Sequence, residues 1–89
     1  MEKNVMLVNM SARRESATKV QQILTAWGCN IKTRLGLHEG TLDDCTETGL
    51  IFLELVGDKE NHEEMSRKLN LLQGVEAKLI VFAGENEYN

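Results

Sequence analysis

The sequence has no proline, only two cysteines and fewer basic than acidic side chains, and no apolar run approaches the length of a membrane span. Each shortage excludes something. Without proline, no prolyl isomerisation step limits folding. Cys29 and Cys45 are too far apart for a CxxC pair, and the reducing compartment inferred below argues against a structural disulfide, so both are expected as free thiols. Ten Lys and Arg against fourteen Asp and Glu give a net charge of −4, the wrong sign for a chain that grips phosphate backbones unaided, so direct nucleic acid binding is not expected. The longest apolar runs, such as LIFL at 50–53, fall far short of the roughly 20 residues that cross a bilayer, and no membrane association is expected. The N-terminal MEKNVMLVNM lacks a continuous apolar segment and a small-residue cleavage site, so it reads as a first strand and the expected location is cytoplasmic.

What is present is the composition of a folded globular protein, with 42% hydrophobic and 27% charged residues. At 89 residues the chain makes one small domain, expected over residues 1–84 with a polar tail at 85–89. A domain of this size buries only about 60–65% of its unfolded surface, which makes help from a partner chain unsurprising.

The pattern of apolar residues gives the elements. Residues 5–10, VMLVNM, suit a buried strand, and Ser11 is a candidate helix cap. Ala17, Val20, Ile23, Leu24 and Trp27 then recur at three- and four-residue spacing, which predicts a helix over 12–27 closed by Gly28 in the left-handed position. IKTRLGL at 31–37 and GLIFLELVG at 49–57 read as two strands of a hairpin. Asp58 caps a second helix with Met65, Leu69 and Leu72 on one face, Glu63 placed before Arg67, and Glu64 before Lys68; Gly74 ends it. VEAKLIVF at 75–82 is the last strand. The order predicts an α+β, ferredoxin-like βαββαβ sandwich, with a four-stranded antiparallel sheet and both helices on one face.

Such a sheet has one bare side. The odd positions (Val5, Leu7, Ile31, Leu35, Ile51, Leu53, Leu55, Leu79, Val81) are assigned to the core. The even positions then face water, yet they include Met6, Val8, Leu50, Phe52, Ile80 and Phe82. These six are the candidate oligomer interface, with Lys32, Arg34, Glu54 and Lys78 as its charged border and Glu54 near Arg34 across the hairpin. A homo-oligomer, dimer or tetramer, is expected.

The segments KVQQILTAWGCNIKTRLGL, GLIFLELVGD and SRKLNLLQGVEAKLIVF resemble the family of iron-only hydrogenase system regulators over nearly the whole chain. The carrying elements are Arg34-Leu35-Gly36-Leu37 in a strand that follows a helix ending in glycine, and a late helix with Lys68, Leu69, Gly74 and Val75. The resemblance implies an ACT-like fold, related to the ligand-binding half of nickel-responsive repressors, working as an oligomeric regulatory module. The sequence departs from the family in its acidic loop HEGTLDDCTETG at 38–49, so the resemblance assigns that loop no role. By the ACT analogy a small-molecule ligand would sit at the first strand-to-helix turn, where Asn9, Ser11, Arg13 and Arg14 are the candidate contacts. The alternative is a capped helix with two solvated arginines.

In the loop itself His38, Asp43, Asp44, Cys45 and Glu47 are suitable metal donors, but no CxxC, HxxxH or EF-hand spacing organises them. The competing reading is a solvated excursion between strands. His62 sits in a charge-rich helix and is expected to face solvent. No nucleophile is visibly paired with a base, no Gly-rich phosphate loop is present, and carboxylates around Cys45 discourage its thiolate. The chain is therefore expected to be a non-enzymatic regulatory or ligand-sensing module without a cofactor. A metal-responsive module using the 38–47 loop and a structural subunit of a larger complex are the alternatives.

Overall fold

The helical spacing and the strand-forming runs identified above become the elements of a computed structural model that describes residues 2–11, 14–38 and 49–84, with only the backbone of Arg14, Leu37 and His38. Its elements are β1 (Lys3–Met10), α1 (Arg14–Ala26), a 3-10 turn (Gly28–Asn30), β2 (Ile31–His38), β3 (Gly49–Leu55), α2 (Lys59–Asn70) and β4 (Val75–Phe82). The strands form one antiparallel sheet in the order β2-β3-β1-β4. This is the expected ferredoxin-like α+β arrangement. Val20 and Leu24 of α1 and Met65 and Leu69 of α2 join the same buried cluster as Met6, Val8 and Leu53 of the sheet.

The side of the sheet that carries the core differs from the expectation in β1 and β2. In β3 and β4 the odd positions do face the helices, and Ile51, Leu53, Leu55, Val75 and Ala77 are buried. In β1 the even positions do so: Met6 and Val8 are both 0% exposed. Antiparallel pairing sets Met6 beside Leu53 on one side and Leu79 on the other, and residues paired across strands share a face. Register, not residue number, carries parity from strand to strand. β2 adds a bulge between Ile31 and Thr33, so Ile31 pairs with Leu55 and packs on the core while Leu35 pairs with Phe52 on the far side.

The connections are held by local hydrogen bonds. α1 leaves through the 3-10 turn, with the Asn30 amide donating to the Trp27 carbonyl at 2.9 Å, and Gly28 does not take the left-handed conformation expected of it. Asp58 is the cap residue of α2, but its side chain makes no capping hydrogen bond. Glu64 pairs with Arg67 at 2.7 Å, an i,i+3 contact in place of the i,i+4 pairs expected. The hydrogen bond from Arg67 holds the Glu64 carboxyl below its ordinary range, and the same bond raises the guanidinium. A depressed carboxylate contributes stability above its unfolded value and loses it as pH falls through the folded one; the solvent that reaches both side chains makes this contribution slight.

At the far end of the sheet, Asn30, Val56, Gly57 and His62 form a knot. The Val56 amide donates to the Asn30 carbonyl at 2.8 Å, and the Val56 carbonyl accepts from Asn30 Nδ2 at 3.0 Å and from His62 Nε2 at 2.7 Å. Gly57 has φ +88°, and a Cβ there would lie 2.5 Å from Asn30 Nδ2. Gly57→Ala is therefore expected to lose about 1–2 kcal/mol from the left-handed conformation, with further loss from displacing the Asn30 amide. The midpoint of urea unfolding measures it, and an unchanged midpoint would contradict the strain.

Both edges of the sheet are blunted. Asn70, at the end of α2, accepts from the Ala77 amide through Oδ1 at 2.8 Å and donates to the Ala77 carbonyl through Nδ2 at 3.0 Å, occupying the middle of edge strand β4. On the opposite edge the β2 bulge interrupts regular pairing. Both devices discourage addition of a further strand.

Candidate interaction surface

Residues paired across the sheet build its bare face row by row. Leu35, Phe52, Leu7 and Lys78 form one row; Thr33, Glu54, Val5 and Ile80 form the next; Lys3 stands beside Phe82 at the end. Leu50 adjoins Asn9, which adjoins Glu76. The apolar members form a diagonal band from Phe82 and Ile80 on β4, through Val5 and Leu7 on β1, to Phe52, Leu50 and Leu35 on β3 and β2. Leu35 and Phe82 are 54% and 55% exposed and Ile80 is 36% exposed, while Leu7, Leu50 and Phe52 are half-buried and Val5 is buried between its neighbours. In general, contiguous exposed apolar surface of this kind is where proteins meet partners.

Of the six residues expected at the interface, Leu50, Phe52, Ile80 and Phe82 lie on this face. Met6 and Val8 do not; they are core residues on the helix side, because β1 pairs in the opposite parity. Val5, Leu7 and Leu35 take their place. The charged border changes in the same way. Arg34 lies on the helix side, where its guanidinium donates to Gln21 Oε1 of α1, and Glu54 instead accepts from Thr33 Oγ1 at 3.3 Å. Lys32 sits at the bulge, and Lys78 stands exposed on the bare face.

The four residues of the expected ligand turn are not gathered around a common point. Asn9 pairs with Leu50 and Glu76 on the bare face, away from α1. The Ser11 amide and hydroxyl both donate to the Gly74 carbonyl, at 2.8 and 3.1 Å, and Ser16 donates to the Gln73 carbonyl at 2.6 Å. These bonds tie the start of α1 to the turn before β4 and leave Ser11 no free donor for an anion. Arg14 begins α1, and Arg13 lies outside the described residues. Of the loop donors, His38 ends β2, while Asp43, Asp44, Cys45 and Glu47, like the tail at 85–89, lie outside the described residues. Among the described residues no three His, Cys, Asp or Glu side chains gather as a metal site, and no helix is long and apolar enough to cross a membrane.

His62 was expected in solvent and is instead completely buried. Its Nε2 carries the proton donated to Val56, and its Nδ1 is buried without a hydrogen-bond partner among the described residues. The signal for this was in the spacing: His62, Met65 and Leu69 stand at i, i+3 and i+7, and all three are buried on one face of α2. Charged neighbours on the other faces obscured it.

No family model matches the chain, and no curated protein matches it. Among solved structures it is similar to an uncharacterized protein from Thermotoga maritima, with a TM-score of 0.77 and 20% sequence identity over 92% of this chain and 99% of that one. It is also similar to the de novo designed protein Foldit4, with a TM-score of 0.53 and 11% identity over 93% of this chain and 98% of that one. At these identities the likeness concerns the fold.

Proposed function

We propose that this chain is a non-enzymatic regulatory module that works as a homo-oligomer assembled through the bare face of its sheet, in the role its resemblance to iron-only hydrogenase system regulators implies. The observation that carries the assembly is the diagonal apolar band, with Leu35, Ile80 and Phe82 exposed and no element of the described chain laid over them. Four strands about 4.8 Å apart and about 25 Å long present about 500 Å² per copy. Two copies covering each other bury about 1,000 Å², the lower bound for a specific interface. The blunted edges leave the face as the surface best suited to self-association.

Light scattering on a sizing column tests this. The wild type is expected to run as a multiple of its 10.0 kDa chain, and Phe52→Asp, which places a charge in the band, is expected to run as a folded single chain. A wild type that stays a single chain at tens of micromolar would remove the proposal. A thermal-shift screen of amino acids and nucleotides addresses the regulatory part. Stabilisation of the wild type that Phe52→Asp loses is the expected outcome, whereas no stabilisation of either favours a structural subunit.

A further inference from the structure

The apolar band has a direction, and the charges beside it have an order; together they define how a second copy sits. From the Phe82 row to the Leu35 row the band advances four residues along the strands, about 13 Å, while crossing three strand spacings, about 14 Å, so it runs at about 45° to the strands. Its two flanks are chemically different. On one side lie Lys78 and Glu76 at the β4 edge; on the other lie Glu54 and Thr33 at β3 and β2, with Lys3 at the Phe82 end.

Resting on the reading that copies meet through this face, we propose that the assembling unit is a two-fold dimer whose axis lies along the band, with Lys78 of each copy opposite Glu54 of the other. A two-fold axis in the plane of the interface reflects each face across that axis, so band meets band and each flank meets the opposite flank. Lys78 and Glu54 stand at similar heights along the band, in adjacent rows on opposite sides of it, and the operation brings them together twice. Because the axis is inclined at about 45°, the strands of the two sheets cross at about 90°, one of the two angles at which sheets pack face to face. Turning the axis at right angles to the band also superposes the bands, but it sets Lys78 against the Asn9 and Glu76 end of its own flank and, because Glu54 stands near the middle of the band, brings the Glu54 carboxylates of the two copies against each other. Charge complementarity selects the first arrangement. Glu54 is pre-positioned by its bond to Thr33, and Lys78 has no ion pair within the described chain.

Sedimentation equilibrium at low ionic strength on the wild type, Lys78→Glu, Glu54→Lys, the double reversal and Phe52→Asp tests the arrangement, with circular dichroism to verify folding. Each single reversal sets two like-charged pairs across the interface and is expected to weaken the dimer by about tenfold or more, while the double reversal returns it to within about threefold of the wild type. Net charge alone would act differently. Lys78→Glu takes the chain from −4 to −6 and Glu54→Lys from −4 to −2, so general repulsion would weaken one variant and strengthen the other. Opposite responses of that kind, or single reversals without effect on a dimer that Phe52→Asp still breaks, would overturn the arrangement and leave assembly through the face standing. A wild type that never dimerises would overturn both.

Discussion

Met6→Ala is expected to destabilise the fold by about 2–5 kcal/mol, the range for truncating a fully buried methionine in a core that collapses only partly around the cavity. Met6 has no exposure, and its cross-strand neighbours Leu53 and Leu79 are held in the same layer beneath the helices. A domain of this size has a total stability of about 5–10 kcal/mol, so the variant unfolds at markedly lower denaturant. The contrast with Ile80→Ala makes the result diagnostic. Ile80 is on the bare face and partly exposed, so its truncation is expected to cost less than about 1 kcal/mol in the isolated chain and to act on association. Urea unfolding at several protein concentrations separates the two effects, because only loss of association depends on concentration. If Met6→Ala left stability unchanged but lowered the oligomer mass, β1 would have to pair in the opposite parity.

The second large effect belongs to His62. His62→Ala is expected to cost about 2–4 kcal/mol by leaving a cavity under α2 and removing one of the two donors to the Val56 carbonyl. His62→Leu keeps most of the volume and eliminates the Nδ1 that has no partner among the described residues, while Asn30 Nδ2 still satisfies Val56. It is expected to lie within about 1–2 kcal/mol of the wild type. Equal losses in the two variants would mean that the hydrogen bond, not the packing, sets the role of this residue. Thermal or urea denaturation of both provides the comparison.

Much of this molecule is legible in its sequence, for identifiable reasons. Val20 and Leu24 in α1, and Met65 and Leu69 in α2, repeat at the period of a helix and are buried as that period requires. Gly74, at φ +77°, ends the second helical segment where a glycine was expected to end it. β3 alternates buried and half-buried positions along its length, and its parity was correct. β1 was not, because VMLVNM is apolar on both sides and a two-residue period then has no sign. His62 reads as a solvent-facing residue because its neighbours are mostly charged, although its spacing to Met65 places it on the buried face. Ser11 and Arg34 are polar groups whose partners, Gly74 and Gln21, come from other elements. Nothing local distinguishes such a residue from a solvated one.

The sequence by itself determined the element order, the α+β class and the presence of more apolar strand surface than one layer of helices can cover, because those follow from local periodicity and composition. Tertiary structure alone decided which half of β1 is core, where the β2 bulge turns Leu35 outward, and how the remaining apolar residues line up as a diagonal band with Lys78 on one side and Glu54 on the other. The physical reason is that a strand's two faces are related by a shift of one residue, and only hydrogen-bonded pairing with its neighbours fixes that shift.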